Sequence, residues 1–299
     1  MRRCLPVLFW LLAVQVHIAG GSQPDSLLTA RFEQKLHRLA ARVDGVVGIA
    51  VKDLLHEQEF LLNGDEIFPQ ASVIKIPILV AFYEKVHRGE LRPETMVRLD
   101  RSFTVGGSGV LQFLDDWKAS LSLYDYAVLM IVLSDNTATN LLIDRVGMRE
   151  VTGLMQRLGL VHTRLQRKMM DVEAARMGKE NLSTPREMMQ LLEILYRKER
   201  LSKDVASACL RILRLPKRSD LRAGIPATVP LACKTGGLAR IVNEAGLVEY
   251  SANPYIVVVM TKLLKSEEEG HRLIREISRV CWEYFERIGS ANKYGRFFR

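Results

Sequence analysis

Three short polar motifs follow one another along this chain: Ser72-Val73-Ile74-Lys75, Ser134-Asp135-Asn136 and Lys234-Thr235-Gly236-Gly237. Ser72 and Lys75 stand three apart on an expected helix, so their side chains share a face. The serine lies at the helix start, where the backbone dipole favours developing negative charge. A lysine beside other cations holds its proton less tightly and can take one from a serine hydroxyl. A Ser-x-x-Lys spacing by itself means little, because it arises by chance in most proteins. Here it opens an apolar stretch, Ile76-Pro77-Ile78-Leu79-Val80, and an isolated Ser and Lys at the start of such a helix point to chemistry.

The second motif falls between two expected helices. Alone, Ser134, Asp135 and Asn136 read equally as a helix cap with an Asx turn. Beside the other motifs, Ser134 becomes a proton relay to a leaving nitrogen and Asn136 a donor to a substrate carbonyl. The third motif ends an expected strand, and its plain reading is a strand running into a glycine bulge. Its chemical reading is that Gly236 and Gly237 let a substrate approach the strand edge, while Lys234 and the Thr235 hydroxyl attract a carboxylate. An N–H of that edge can join the N–H of the nucleophile as an oxyanion hole. The three together describe acyl transfer through a serine.

On these motifs the chain resembles the class A β-lactamase family and its serine-hydrolase relatives, the penicillin-binding proteins. The resemblance covers about residues 26–288. It extends through Ser134-Asp135-Asn136-Thr137-Ala138-Thr139-Asn140-Leu141-Leu142, Leu158-Gly159, Thr163-Arg164-Leu165 and Pro226. It implies that Ser72 is acylated, that Lys75 is its base partner, and that the Ser72 and Gly237 N–H groups form the oxyanion hole. It further implies a small β-lactam or peptide-like amide as substrate, no metal and no cofactor.

The resemblance breaks in the long loop. The family carries there a Glu that holds the water for releasing the acyl group. Counting from Thr163-Arg164-Leu165, its place falls at Met169, which cannot act as a base. The family's loop Asn falls near Glu173. Two readings stay open: Glu173 is a relocated base, or Asp171 and Glu173 merely hold the loop through Arg164, Arg167 or Arg176. The Arg that follows the Lys-Thr-Gly strand in many relatives is also missing. The corresponding run is Ile241-Val242-Asn243-Glu244, with Arg222 or Arg240 as possible substitutes. The glycine-rich stretch Phe103-Thr104-Val105-Gly106-Gly107-Ser108-Gly109 lacks the Gly-Lys-Ser ending of a phosphate loop and reads as a flexible rim of the cleft.

Periodicity places the elements that must carry these residues. Residues 26–43 form an amphipathic helix. Residues 46–51 and 59–62 form a hairpin. An apolar helix spans 72–86, with Pro77 tolerated near its first turn. Helices follow at 122–133, opened by Ser122 with Asp125 three residues on, at 137–146 and at 150–158. Residues 161–182 show no periodicity, and a loop of that length in a compact domain is usually functional. It ends in Thr184, Pro185 and Glu187, a capping box with proline at the first helical position. Strands are expected at 231–234, 246–250 and 255–261, then a helix at 267–288. The expectation is an α/β fold of α+β type. A sheet drawn from both chain ends is flanked by terminal helices, with an all-helical part at about 66–215.

Composition bounds the rest. The chain has 299 residues, 48% of them hydrophobic, ample for a full core. Residues 1–21 read as an export signal: Arg2 and Arg3, then an apolar run, then Ala19-Gly20-Gly21. The run is short for a membrane span. Net charge is +9, and removing that segment with its two arginines leaves +7. The cations are scattered without an arginine-rich aromatic pattern, so nucleic acid is not the expected partner. Cys209, Cys233 and Cys281 are too few for a disulfide scaffold. Cys281 reads as core, and Cys233 as part of the site wall. The reading is an exported, monomeric serine hydrolase of class A β-lactamase type. Its rivals are a D-amino-acid peptidase or esterase, and a binding protein that β-lactams acylate with little turnover.

Overall fold

The computed structural model describes residues 25–100, 103–114, 120–292 and 294–296. The expected export signal lies outside the described residues. In chain order the elements are α1 (Ser26–Ala40), β1 (Val46–Asp53), β2 (Glu59–Leu62), β3 (Phe68–Pro69), α2 (Lys75–His87), β4 (Met96–Arg98) and β5 (Ser120–Ser122). The helical block continues with α3 (Leu123–Val132), α4 (Asn136–Val146), α5 (Met148–Arg157), α6 (Val172–Arg176), β6 (Leu182–Ser183), α7 (Pro185–Arg197) and α8 (Lys203–Leu213). The chain ends in β7 (Leu231–Leu238), β8 (Ile241–Val248), β9 (Tyr255–Lys262) and α9 (Glu267–Gly289).

One five-stranded antiparallel sheet organises the molecule, in the order β2-β1-β9-β8-β7. Its strands alternate strictly, because successive side chains leave opposite faces. In β9, Tyr255, Val257 and Val259 pack with Phe32 and Leu36 of α1 and with Ile277 and Phe285 of α9. Ile256, Val258 and Met260 face the helical block instead, sharing a core with α2, α7 and α8. Both faces are therefore covered. The α/β architecture expected from the sequence, with its sheet built from both chain ends, is the one observed. Among the described residues no helix is long and apolar enough to cross a membrane.

Capping signals in the sequence account for the helix starts that frame the site. Ser122 caps α3 in a reciprocal box with Asp125. Thr184 caps α7 through the Glu187 N–H at 3.1 Å, with Pro185 at the first position. The expected reciprocal half of that second box is absent. The Glu187 carboxylate turns instead to the start of the long loop and accepts from the His162 N–H and the Thr163 hydroxyl. Other expectations shift in extent. The helix expected from Ser72 opens with a 3-10 turn, Ala71–Ile74, before α2 begins at Lys75. β7 and β8 form a long hairpin rather than two short strands.

The loop from residue 161 to 182 is closed at its base, where Arg164 and Leu182 exchange backbone hydrogen bonds at 2.9 and 3.0 Å. The Asn181 carboxamide accepts from the Gln166 and Arg167 N–H groups, and Arg167 pairs with Glu180. Gln70 joins this base to the turn bearing Ser72. Its N–H donates to Asn181 O and its side chain to Leu182 O.

Candidate active site

Ser72 is partly exposed on the 3-10 turn, directly after Ala71, whose φ of +50° is left-handed. A non-glycine residue held there costs energy and marks a constrained turn. The edge strand β7 runs tightly against this turn. A Cβ built on Gly236 would lie 2.8 Å from Gln70 O and 2.9 Å from Ser72 N, so only glycine allows the approach.

Lys75 is fully buried. Its Nζ lies 2.7 Å from Ser134 O, 3.1 Å from Ser134 Oγ and 3.1 Å from Asn136 Oδ1. Lys234, also buried, donates to Thr235 O at 2.9 Å and to the same Ser134 Oγ at 3.2 Å. The Ser134 hydroxyl thus stands between two amines, on a residue whose own φ is +55°. Burial pushes the Lys75 pKa well below the usual lysine range, and the neighbouring Lys234 cation lowers it further. Burial also lowers Lys234, to about 8. As a free amine, Lys75 keeps two hydrogens for the two carbonyl oxygens and turns its lone pair to a hydroxyl.

Asp135 and Asn136 secure the wall across the cleft. Asp135 caps α4 through the Ala138 N–H, and its other oxygen accepts from the Val110 and Leu111 N–H groups at 2.7 and 2.9 Å. Asn136 receives Lys75 on Oδ1 and donates from Nδ2 to Gly106 O, while its N–H donates to Ser108 O. The stretch expected to be a flexible rim is therefore stitched to the second motif. Its glycines serve closeness: a Cβ on Gly109, at φ +108°, would lie 2.1 Å from Asp135 Oδ2.

Thr235, Gly236 and Gly237 line a hollow of about 200 Å³ together with Arg218 and His271. His271 and Arg275 both hold Asp220, at 2.6 and 2.9 Å. A larger hollow, about 680 Å³ among Glu57, Glu193 and Arg197, lies apart from all three motifs. Cys233 belongs to β7 and packs on the face turned to α9, its thiol pushed up by burial to about 11, which leaves it inert. Among the described residues no group of three or more His, Cys, Asp or Glu is arranged to hold a metal ion.

The profile of the Beta-lactamase enzyme family matches residues 31–285. The chain belongs to this family. Beta-lactamase CARB-3 of Pseudomonas aeruginosa is 24% identical over 188 residues, 62% of this chain and 65% of the relative, so the match spans just under two thirds of that protein. A point mutant of PBP-A, solved as an acyl-enzyme complex with penicillin G, superposes with a TM-score of 0.78 at 30% identity, covering 86% of this chain and 97% of that one. The β-lactamase of Sphaerobacter thermophilus does so at 0.76 and 30%, covering 85% and 96%. Class A β-lactamases are also among the structural neighbours.

Within this β-lactamase fold the long loop departs from the expected carboxylate. Met169 is buried, and its backbone is held on both sides by the Asn140 side chain. Glu173, the candidate relocated base, lies on the exposed face of α6. Its side chain is 73% exposed, and it pairs at 3.8 Å with Arg176. Asp171 caps α6 through the Ala174 N–H. Asp171 thus serves the start of α6, and Glu173 pairs with Arg176 within the same short helix. Arg222 donates to Pro226 O and Val229 O and is committed there. Arg240 sits at the β7–β8 turn at φ +61°. Arg218, which the sequence reading passed over, lines the hollow that Thr235 also lines. Only the pairing of the hairpin and the course of residues 214–222 bring it there.

Proposed function

We propose that this protein is an exported serine hydrolase that opens β-lactam or peptide-like amides through an acyl ester on Ser72, and releases β-lactam acyl groups slowly. The observation that carries the reading is the pair of buried lysines meeting on one hydroxyl, Lys75 and Lys234 on Ser134 Oγ. In the proposed step the Ser72 oxygen attacks the amide carbon. Its proton passes to the Lys75 amine, and the carbonyl oxygen takes the negative charge. The Ser72 N–H is an oxyanion donor, since first-turn N–H groups have no intrahelical partner, and the Gly237 N–H on the strand edge is the second. When the carbon–nitrogen bond breaks, Ser134 gives its proton to the nitrogen and is resupplied from Lys75 or Lys234. Asn136 keeps one free amide hydrogen for the substrate carbonyl. Lys234, Thr235 and Arg218 receive a substrate carboxylate.

Slow release follows from the loop. Met169 has no acid–base function, and Glu173 faces solvent. This favours a β-lactam-acylated protein over a fast β-lactamase, and leaves a D-amino-acid peptide or another acyl donor as the substrate that turns over. The test is incubation with a chromogenic cephalosporin, read with intact mass. The expected result is one burst equivalent and a lasting adduct on Ser72, absent in Ser72→Ala. Labelling that survives in Ser72→Ala sinks the proposal.

A further inference from the structure

Beside the catalytic strand lies a hollow that acyl transfer through Ser72 does not use. Its volume is about 440 Å³, within the range of small-molecule sites. Leu231 and Cys233 of β7 form part of its wall, together with the turn that follows α8 and the segment that leads into β7. Side chains alternate along a strand, so Leu231 and Cys233 leave the face opposite to Lys234. No residue lines both this hollow and the one beside Thr235.

The wall carries three cations, Arg214, Lys217 and Arg222, and no Asp or Glu. Arg214 is answered by Glu249, whose two oxygens each accept at 2.6 Å. Lys217 and Arg222 form no ion pair among the described residues. The buried Glu244 is already taken, by the Ser219 hydroxyl and by the Asp220 and Leu221 N–H groups. Backbone carbonyls hold both cations in place. Lys217 Nζ donates to Leu213 O at 2.5 Å and to Leu215 O at 2.7 Å, closing the end of α8. An ammonium has three hydrogens, so one remains. Arg222 donates to Pro226 O and Val229 O from Nη1 alone, and its Nη2 and Nε have no hydrogen-bond partner among the described residues. The plain reading is that Lys217 caps a helix and Arg222 braces a loop. That accounts for two hydrogens of the lysine and one nitrogen of the arginine. It leaves two positive charges unanswered in a half-buried wall, where charge without a partner is costly.

We propose that this hollow is a binding site for a small carboxylate with an apolar body. The carboxylate meets the remaining hydrogen of Lys217 and the free edge of Arg222, whose planar fork suits two oxygens. The apolar body packs on Leu215, Val229 and Leu231, which line the same hollow. The carbonyl contacts order both cations before a ligand arrives, so binding need not freeze two long side chains.

The test uses the whole protein labelled with 13C at lysine Cε, with the Lys217 and Lys234 signals assigned from Lys217→Arg and Lys234→Arg. The probe is phenylacetate. Phenylacetamide is its neutral counterpart, and inorganic phosphate is an anion without an apolar body. Phenylacetate should move the Lys217 signal saturably, and should do so equally in Lys234→Ala, which removes the cleft as a competing site. Phenylacetamide should leave the Lys217 signal in place, and phosphate should bind about tenfold more weakly or worse for want of the buried ring. In calorimetry on the Lys234→Ala background, Lys217→Gln should weaken phenylacetate about tenfold or more, the loss of one charged hydrogen bond. Should Lys217→Gln fail to fold, the titration of the parent decides by itself. A Lys217 signal that stays still with phenylacetate, or that answers phenylacetamide or phosphate as readily, overturns the proposal. So does a response that disappears in Lys234→Ala, which would place the carboxylate in the cleft.

Discussion

Asn140 holds Met169 by both of its backbone groups. The Met169 N–H donates to Asn140 Oδ1 at 2.8 Å, and Asn140 Nδ2 donates to Met169 O at 3.1 Å. The side chain of α4 thus fixes the position of one loop residue while leaving its own side chain to be chosen freely. The chain has placed a thioether where the family resemblance implies a carboxylate.

Met169→Glu is expected to convert a persistent adduct into turnover. A carboxylate within reach of a water can activate it, an effect on the order of 100-fold or more. The check is the deacylation rate by stopped flow and intact mass. An adduct as long-lived as in the parent would show that the loop does not present this position to the ester.

Asn140→Ala should loosen the loop without disabling Ser72. Two hydrogen bonds are lost, and the buried Met169 backbone groups lose their partners, a cost of about 1–3 kcal/mol. Thermal unfolding should report the loss, while single-turnover acylation stays within a few-fold of the parent.

Glu173→Gln should leave deacylation unchanged. Its carboxylate is 73% exposed and pairs with Arg176, an exposed pair worth at most about 1 kcal/mol. A variant that stalls as an acyl-enzyme would restore Glu173 as the water-activating group.

Gly236→Ala should damage acylation sharply. Its Cβ would press on Gln70 O and Ser72 N, and overpacking against backbone costs about 1–3 kcal/mol. The diagnostic is an acylation rate that falls by more than the melting temperature accounts for.

Acylation of a carboxylated substrate should decline as pH rises through about 8. Lys234 attracts the carboxylate only as an ammonium ion, and its proton leaves around that pH. Lys75 takes the Ser72 proton as a free amine, the form that burial and the neighbouring Lys234 cation favour. A methyl ester should show no such decline. Equal profiles for acid and ester would remove Lys234 from carboxylate binding.

Much of the frame is legible in the sequence, because it rests on local rules. Ser122 and Thr184 cap helices as their neighbours predict, and the unbroken apolar run of β9 matches a strand buried on both faces. What escapes is non-local. The start of β8 reads as polar because Asn243 and Glu244 interrupt it, yet both are buried and satisfied by distant partners, Asn243 by Pro69 O and the Thr261 N–H. Helix α8 falls within the expected all-helical part, but its own bounds are not marked by the sequence. Its apolar face packs on α2 and α3, and Cys209 and Leu213 acquire meaning only there. The orientation of the loop acids is likewise not written in spacing: Glu173 falls near the loop Asn position, and the short helix α6 turns its side chain to solvent.

The pairing of β1 with β9 has a consequence for how the chain becomes a protein. Ala50 lies opposite Val258, so the central pair of the sheet joins segments roughly 200 residues apart, and such long-range closure slows folding. As the chain emerges from the ribosome, β1 and β2 are made first and must wait. Until the last strand arrives, the apolar edge of β1 has no mate and is open to mispairing with other chains. The sheet that backs Ser72 therefore cannot close before β9 has been made. The cleft around Ser72 is complete only once β9 has paired with β1, and any factor that shields β1 in the interval raises the yield of folded protein.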